Sequence, residues 1–297
     1  METVELKDIN QCNRFFSERT LHPLVSVVDL PQSAGRILLR LDFYSILLRE
    51  SPNCLACCGK KCCDFSEKTL LFLPPGQPLN PATERQAPEK GDKLLCFHPD
   101  LIRHTPLESH FGEYTFFHYR QDEALHLSAR ERDVVEASLN CIAEELDWGI
   151  DEYSKKLIAL KIDLLLSYCS RFYKRQFITR HEANNEVVEQ TDHLLQHYFL
   201  TGQAQEKGFP TAERCARIQN LSPAYLNDLL QHETGKDFKE YALFKQFDTA
   251  CAQLQRTSKS VTEIATELGY HSPQVFCRIF KQLKGCTPTL FRSRYRN

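Results

Sequence analysis

The segment with the highest density of reactive groups is NCLACCGKKCCDF, which spans residues 53–65. Within ten positions it carries five cysteines: Cys54, Cys57, Cys58, Cys62 and Cys63. Thiolates at such short spacing can hold zinc, form a reversible disulfide or react with an oxidant, and the two neighbouring lysines favour the thiolate form. The spacing therefore allows a metal- or redox-sensing site, with Cys54, Cys57, Cys62 and Cys63 as the candidate ligands.

The surrounding residues favour a structural interpretation of the same cysteines. A two-residue hairpin turn at Gly59 and Lys60 would pair Cys57 with Cys62 and place these two side chains on one face. Free cysteine also packs as a small hydrophobic residue. We therefore expect no metal or other cofactor, and keep a metal or thiol-redox sensor with incidental DNA affinity as the alternative function.

A second group of residues has the chemistry needed to read DNA bases. Ser272 can cap a helix that begins at Pro273, and Phe276 and Phe280 lie on its apolar face together with Ile279 and Leu283. The opposite face carries hydrogen-bonding and cationic groups: Gln274, Cys277, Arg278 and Lys281. Such side chains pair with base edges in the major groove, so this face indicates the second helix of a helix-turn-helix.

The helix-turn-helix pattern occurs twice, at an offset of fifty residues without a gap. Residues 211–235 align with residues 261–285, with Glu213 on Glu263, Ser222 on Ser272 and Gly235 on Gly285. A helical segment of about twenty residues connects the units and spans about 30 Å, close to one turn of B-DNA. The duplication predicts two second helices, over residues 222–233 and 272–284, that enter successive major-groove segments on one face.

These residues resemble the DNA-binding domain of AraC/XylS-type transcription regulators. The segment SVTEIATELGYHSPQVFCRIFKQLKGCTPTLFRSR resembles the C-terminal signature of the family, and LSPAYLNDLLQHETGKDFKEY resembles its first helix-turn-helix. The resemblance implies two recognition helices in adjacent major grooves of a bent site. It also implies an N-terminal cupin-like β-barrel, followed by helices used in dimerisation, that senses a small molecule or only dimerises.

The family pattern also implies the residues that contact DNA. Base-facing candidates are Gln274, Cys277 and Arg278 in the second unit, and Ala224, Tyr225, Asn227 and Asp228 in the first. Phosphate contacts or helix-start donors are Ser222, Ser272, Lys281, Lys284 and Arg292. The first unit departs from the pattern, because Asp228 stands where Arg or Ser is common and Gln246 where the connecting helix usually has Arg. We therefore expect the second unit to contribute more to DNA recognition.

The elements before these helices divide the chain into further segments. Residues 1–127 contain short apolar runs separated by Pro, Gly and Asn, which predict a β-rich domain built as a barrel or sandwich; EYTFFHYR is one of the predicted strands. Residues 128–178 predict two helices, the second apolar on more than one face. Residues 179–186 are the linker, and residues 187–297 form the DNA-binding domain. The predicted fold class is a multidomain α+β protein with an all-α C-terminal domain and a helical dimerisation hairpin.

Composition and charge agree with a DNA-binding regulator. Net charge is −2 overall, but residues 205–297 carry fourteen Lys or Arg against nine Asp or Glu, a net of +5. The N-terminus lacks a signal peptide, and no apolar run is long enough to cross a membrane. Phosphate-loop, G-x-S-x-G and H-E-x-x-H motifs are absent. We therefore expect a cytoplasmic regulator and not an enzyme, with a double-stranded DNA operator, a second copy of the chain, a small-molecule effector and RNA polymerase as partners, acting as an activator.

Overall fold

The computed structural model describes residues 2–30, 37–50, 59–65, 67–79 and 92–295. Three of the five clustered cysteines, Cys54, Cys57 and Cys58, lie outside these ranges. The chain divides into two compact units, Met1–Arg180 and His181–Asn297. The first is β-rich with helices, and the second is entirely helical in its described part.

The first unit contains two sheets among its described residues. In the five-stranded antiparallel sheet the strand order is β2-β7-β4-β5-β8. In the three-stranded sheet the order is β1-β3-β6, with β1 parallel to β3 and β3 antiparallel to β6. The strands are β1 (Glu2–Leu6), β2 (Val25–Asp29), β3 (Ile37–Leu41), β4 (Tyr44–Glu50), β5 (Lys68–Leu73), β6 (Pro78–Leu79), β7 (Lys93–Phe97) and β8 (Leu125–Leu127).

Both faces of the five-stranded sheet are covered. On one face, Leu47, Leu71 and Leu94 form a core with side chains of the smaller sheet and of helix α1 (Ile9–Phe15). On the other face, Phe72 packs against Phe116 and Phe117, with ring centroids 4.4 and 5.5 Å away. Burial on two faces explains why the central strands read as continuous apolar runs and not as alternating ones.

The segment EYTFFHYR is not a strand, contrary to the sequence-based expectation. Residues Phe111–Glu113 and Thr115–His118 form 3-10 helical turns. Tyr114, Phe116, Phe117 and Tyr119 are all at most 7% exposed. A half-exposed strand would alternate buried and exposed side chains, whereas consecutive turns allow all four rings to reach one core. Strand β1 and helix α1 were not predicted from the sequence.

Two long helices complete the first unit. Helix α3 (Ala129–Asp147) begins at Ser128 with the predicted capping box, in which the Ser128 hydroxyl and the Glu131 carboxylate each accept a backbone N–H. Helix α4 (Ser154–Thr179) runs antiparallel to α3, because Glu131 at the start of α3 binds Arg175 near the end of α4, 2.7 Å apart. Between β7 and β8 lie the short helix α2 (Pro99–Ile102) and four 3-10 turns.

The described part of the second unit contains eight helices: α5 (His181–Leu200), α6 (Gln203–Lys207), α7 (Ala212–Ile218), α8 (Pro223–Thr234), α9 (Phe238–Arg256), α10 (Val261–Glu267), α11 (Pro273–Lys284) and α12 (Pro288–Tyr295). Residues 179–186, expected to be a linker, contain the boundary between the units, and from His181 onward they are helical. One core joins the unit, with Leu195, Leu226 and Phe276 among its fully buried members.

Candidate nucleic-acid interface

The second helix-turn-helix is built by caps at every helix end. Ser260 and Glu263 form a capping box at the start of α10. Gly269 follows α10 with φ +80°, and a Cβ there would lie 2.9 Å from a backbone carbonyl oxygen of α6. The turn therefore requires glycine, both for its left-handed conformation and for its close approach. Ser272 then accepts the Val275 N–H at 3.2 Å and starts α11, with Pro273 at its first position.

Helix α11 presents a polar stripe along its exposed side. Gln274, Arg278 and Lys281 are all exposed and recur at i, i+4 and i+7, which places them on one face. Cys277 lies at the edge of this stripe, half-buried against the core. The stripe combines an amide, a guanidinium and an ammonium group, and among the described residues no carboxylate follows Glu267.

The end of α11 differs in part from expectation. Leu283, expected to face the core, is 61% exposed. Lys284 is exposed, with its Nζ 5.9 Å from the ring centroids of both Phe247 and Phe291. The Lys284 stem therefore covers aromatic surface while its charge stays at the rim.

Helix α8 occupies the equivalent place in the first helix-turn-helix. Ser222 accepts the Tyr225 N–H at 3.0 Å and starts the helix, and Gly235 ends it with φ +71°. Ala224 and Asp228 are half-exposed on the side that corresponds to Gln274 and Arg278. No Lys or Arg occurs within α8, so its exposed side lacks the positive charge of α11.

Two of the α8 candidates have structural roles. Tyr225 is 4% exposed and belongs to the core, so the prediction that it faces a base is corrected. Asn227 is half-buried, and its Oδ1 accepts the Phe238 N–H at 3.1 Å at the start of α9. Gln231, which the sequence analysis missed, is exposed and is the counterpart of Lys281. The fifty-residue offset itself would have identified it.

The predicted phosphate contacts divide in the same way. Ser222 is buried, and both it and Ser272 use their hydroxyls to accept backbone N–H groups at helix starts. Arg292 is half-buried and donates to two backbone carbonyls, Leu254 at 3.2 Å and Lys259 at 2.6 Å. Through Nε and Nη2 the Arg292 guanidinium therefore ties α12 to the segment between α9 and α10, and its assignment as a phosphate contact stays a prediction.

Helix α9 connects the two helix-turn-helix motifs through a buried amide. Gln246 is 5% exposed, and its Nε2 donates to the Leu268 carbonyl at the end of α10, 2.7 Å away. A neutral amide satisfies this carbonyl without burying a charge, which an arginine at the same position would do. The departure at Gln246 therefore has a local structural explanation.

A charged cluster holds α5 to the end of α8. Glu233 accepts hydrogen bonds from Asn184 and His181, each at 2.9 Å, and lies 3.3 Å from His232. Burial alone would raise the pKa of Glu233, but the hydrogen bonds from Asn184, His181 and His232 outweigh burial and lower this pKa. Glu233 is therefore ionised at neutral pH and fixes α8 from the side opposite to its exposed face.

Comparisons with known proteins identify this unit. A family model described as "Helix-turn-helix domain" matches residues 215–294. The C-terminal unit is an AraC-type helix-turn-helix domain. An uncharacterized HTH-type transcriptional regulator of Haemophilus influenzae is 24% identical over 91% of this chain and 97% of its own length.

Further relatives match smaller parts of the chain. The uncharacterized regulators YtdP and YesN of Bacillus subtilis are 34% and 38% identical over 29% and 24% of this chain. The chain spans only 11% and 20% of the length of these two relatives. Among solved structures, the C-terminal domain of AraT, a response regulator from Geobacillus stearothermophilus, is 26% identical over 36% of this chain and 84% of that chain, with a TM-score of 0.31.

Outside the AraC-type domain, the described residues place the remaining candidates in the first unit. Cys62 and Cys63 are exposed and unpaired with each other, whereas Cys54 and Cys57 lie outside the described residues. In the described ranges no cluster of three or more His, Cys, Asp or Glu side chains could hold a metal ion. None of the helices in those ranges has the length and apolar character needed to cross a bilayer.

Proposed function

We propose that the chain is a sequence-specific DNA-binding transcription regulator in which α8 and α11 enter successive segments of the major groove. The observation that carries this proposal is the exposed stripe of Gln274, Arg278 and Lys281 on α11, at the position of the recognition helix. Arg278 would pair with guanine and Gln274 with adenine. Lys281 and Lys284 would contact phosphates.

Helix α9 supports the proposed two-groove arrangement. Its nineteen residues extend about 28 Å, somewhat less than one turn of B-DNA. The first unit would contribute differently, since Ala224, Asp228 and Gln231 offer hydrogen bonding without positive charge. Asp228 would accept a hydrogen bond from a cytosine amino group, while the cationic α11 supplies most of the attraction to the backbone.

We further propose that the chain acts as a homodimer through helix α4. Leu157, Leu160 and Leu164 are 42%, 41% and 56% exposed and recur on one face of α4. The opposite face of the same helix is buried, with Ile162 and Leu166 at 0% exposure. An apolar stripe of this kind at i, i+3 and i+7 suits the packing of a second helix.

A charged side chain in this stripe tests the dimer. Leu164→Asp should shift sedimentation toward the monomer, whereas Ser170→Asp, on another side of α4, should not. A dimer of unchanged affinity in Leu164→Asp would contradict the assignment of this surface.

As a regulator the chain would act in the cytoplasm together with RNA polymerase. The first unit would control it, and the cupin-like β-barrel is the fold proposed for this unit. Capture of fragments of its host's genomic DNA by the full chain at physiological salt tests the function. We expect a small set of enriched fragments and a loss of enrichment with Arg278→Ala. Recovery of all fragments in equal proportion would refute sequence-specific binding and favour a sensor with incidental DNA affinity.

A further inference from the structure

Two exposed thiols lie at the corners of a tight turn in the first unit. The Asp64 N–H donates to the Lys61 carbonyl at 3.1 Å, which closes a turn with Cys62 and Cys63 at its two central positions. The hairpin turn predicted at Gly59 and Lys60 pairs residues that lie partly outside the described ranges, so it stays a prediction. Both cysteines are exposed and free, so the turn presents two neighbouring thiols to solvent.

The turn is anchored to the protein through the Asp64 carboxylate. Asp64 Oδ1 accepts from Arg180 Nε at 2.8 Å, and Oδ2 accepts from Arg180 Nη2 at 2.5 Å. The same Oδ2 accepts the Lys61 N–H at 2.7 Å. One oxygen atom therefore both closes the turn and binds Arg180, so a change of turn geometry acts directly on the ion pair.

The ion pair between Asp64 and Arg180 is buried, so solvent does not screen it. The Asp64 side chain is 0% exposed and the Arg180 side chain 4%. Arg180 Nη2 also donates to the Gly59 carbonyl at 3.3 Å. Gly59 has φ +62°, and a Cβ there would lie 1.6 Å from the Asp122 carbonyl oxygen, so the start of the segment is fixed by close packing. The thiol-bearing turn is thus held at both ends.

Arg180 occupies the point where the first unit ends. It is the residue that follows α4, and its N–H donates to the Gln176 carbonyl at 3.0 Å. The next residue along the chain, His181, begins α5 of the second unit. The ion pair with Asp64 therefore fixes the end of the helix through which the chain passes from one unit to the other.

We propose that Cys62 and Cys63 form a binding site for a soft, thiophilic trivalent metalloid, and that its binding loosens the contact between Asp64 and Arg180. With phenylarsine oxide as the probe, two S–H bonds break, two As–S bonds form, and the arsenic-bound oxygen leaves with both protons as water. Arsenic stays trivalent, so no oxidant or reductant is needed. A path of four backbone atoms links the two β-carbons, and closing a ring across it must change the turn dihedrals.

The described turn supplies two neighbouring thiols, which is the number that a trivalent arsenic centre with one organic substituent binds. Soft thiolate ligands select soft centres.

The experiment uses the full chain with one equivalent of phenylarsine oxide. Peptide mass spectrometry locates the arsenic, and hydrogen exchange reports on the backbone N–H of Arg180. We expect arsenic on the peptide that contains Cys62 and Cys63, together with exchange about tenfold faster at Arg180. Cys62→Ser with Cys63→Ser should abolish both effects, and the matched control Cys54→Ser with Cys57→Ser should leave both unchanged.

A second variant tests the coupling. Asp64→Asn should still take up arsenic, but exchange at Arg180 should be fast before the probe is added and unaffected by it. If Asp64→Asn does not fold, Arg180→Lys, which lacks the separate Nε and Nη2 donors that bind the two Asp64 oxygens, replaces it. Arsenic located elsewhere, or bound at the turn with unchanged exchange at Arg180, would overturn the proposal. Neither readout involves DNA, so a failure here leaves the proposed regulator function untouched.

Discussion

Replacing Arg278 by alanine separates a DNA-reading residue from a structural one. Arg278 is exposed on α11, and in the described part of the chain its guanidinium makes no ion pair. Its removal should therefore leave the free energy of unfolding within about 0.5 kcal/mol of the parent value. Any loss of DNA affinity then belongs to the interface and not to the fold.

The expected loss follows from the type of contact. A bidentate pair between arginine and guanine contributes about 1–3 kcal/mol of discrimination, which corresponds to about 5- to 140-fold in Kd. The loss should be large on the preferred site and small on a site in which that one base pair is replaced. A phosphate contact would instead weaken binding to all sequences equally and reduce the slope of log affinity against log salt by about 0.9.

Fluorescence anisotropy with labelled duplexes at several salt concentrations measures both quantities. Lys281→Ala is the matched control, because its ammonium is exposed on the same face and is assigned to phosphate. Arg292→Ala is the contrasting variant, since the loss of two hydrogen bonds to carbonyls should cost stability, about 1.5–3 kcal/mol for each. Unchanged affinity of Arg278→Ala for the preferred site would refute the assignment of α11 as the reading helix.

Three further substitutions test individual contacts. Gln246→Ala should lower the free energy of unfolding by about 1–3 kcal/mol, because it leaves the buried Leu268 carbonyl unpaired. Chemical denaturation would show this loss as a lower midpoint, and an unchanged midpoint would contradict the role of the hydrogen bond. Gly269→Ala should destabilise the second helix-turn-helix by more than about 1 kcal/mol, because φ is +80° and a Cβ would lie 2.9 Å from a backbone oxygen. If the variant were as stable as the parent protein, the turn would not require glycine. The hydrogen bond to Asp163 raises the pKa of His110 above 6.5, so the stabilisation from this pair should be complete below about pH 6.5 and be lost as pH rises through the raised pKa. In an NMR titration, the His110 midpoint of the parent protein should lie above the His110 midpoint of Asp163→Asn, and equal midpoints would disprove the pairing.

Much of the helical domain follows from its sequence, because its signals are local. The capping box of Ser260 with Glu263, the cap at Ser272 and the left-handed glycines each specify a helix end within four residues. Exposure of Gln274 and Arg278 follows from the same helical period. These features need no information from distant parts of the chain.

The structural roles of Arg292 and Tyr225 depend on contacts that are distant in sequence. The carbonyl groups to which Arg292 donates lie 33 and 38 positions earlier. Tyr225 follows a helix cap by three residues, and only the packing of the whole unit decides that its ring is buried. Local patterns do not determine where such side chains point.

The first unit was harder to predict for the same reason. Its strands pair across long separations in sequence, for example β1 with β3. The segment EYTFFHYR, expected to be a strand, forms 3-10 turns because four of its aromatic side chains share one core. The cysteine segment shows most clearly that contacts between distant residues cannot be predicted from local spacing. Its spacing indicated thiol chemistry, but the contact of Asp64 with Arg180 spans 116 positions and became visible only in the fold.

Selection of bound sequences from random duplex DNA by the full chain decides whether α8 and α11 read successive major-groove segments. We predict an enriched site with two conserved parts whose centres lie about one helical turn, or 10–10.5 base pairs, apart. The part read by α11 should be the stronger one, and Arg278→Ala should relax the preference there while the other part persists. Selection that yields no enriched sequence, or a single part with nothing at one-turn spacing, would contradict two recognition helices in successive major-groove segments.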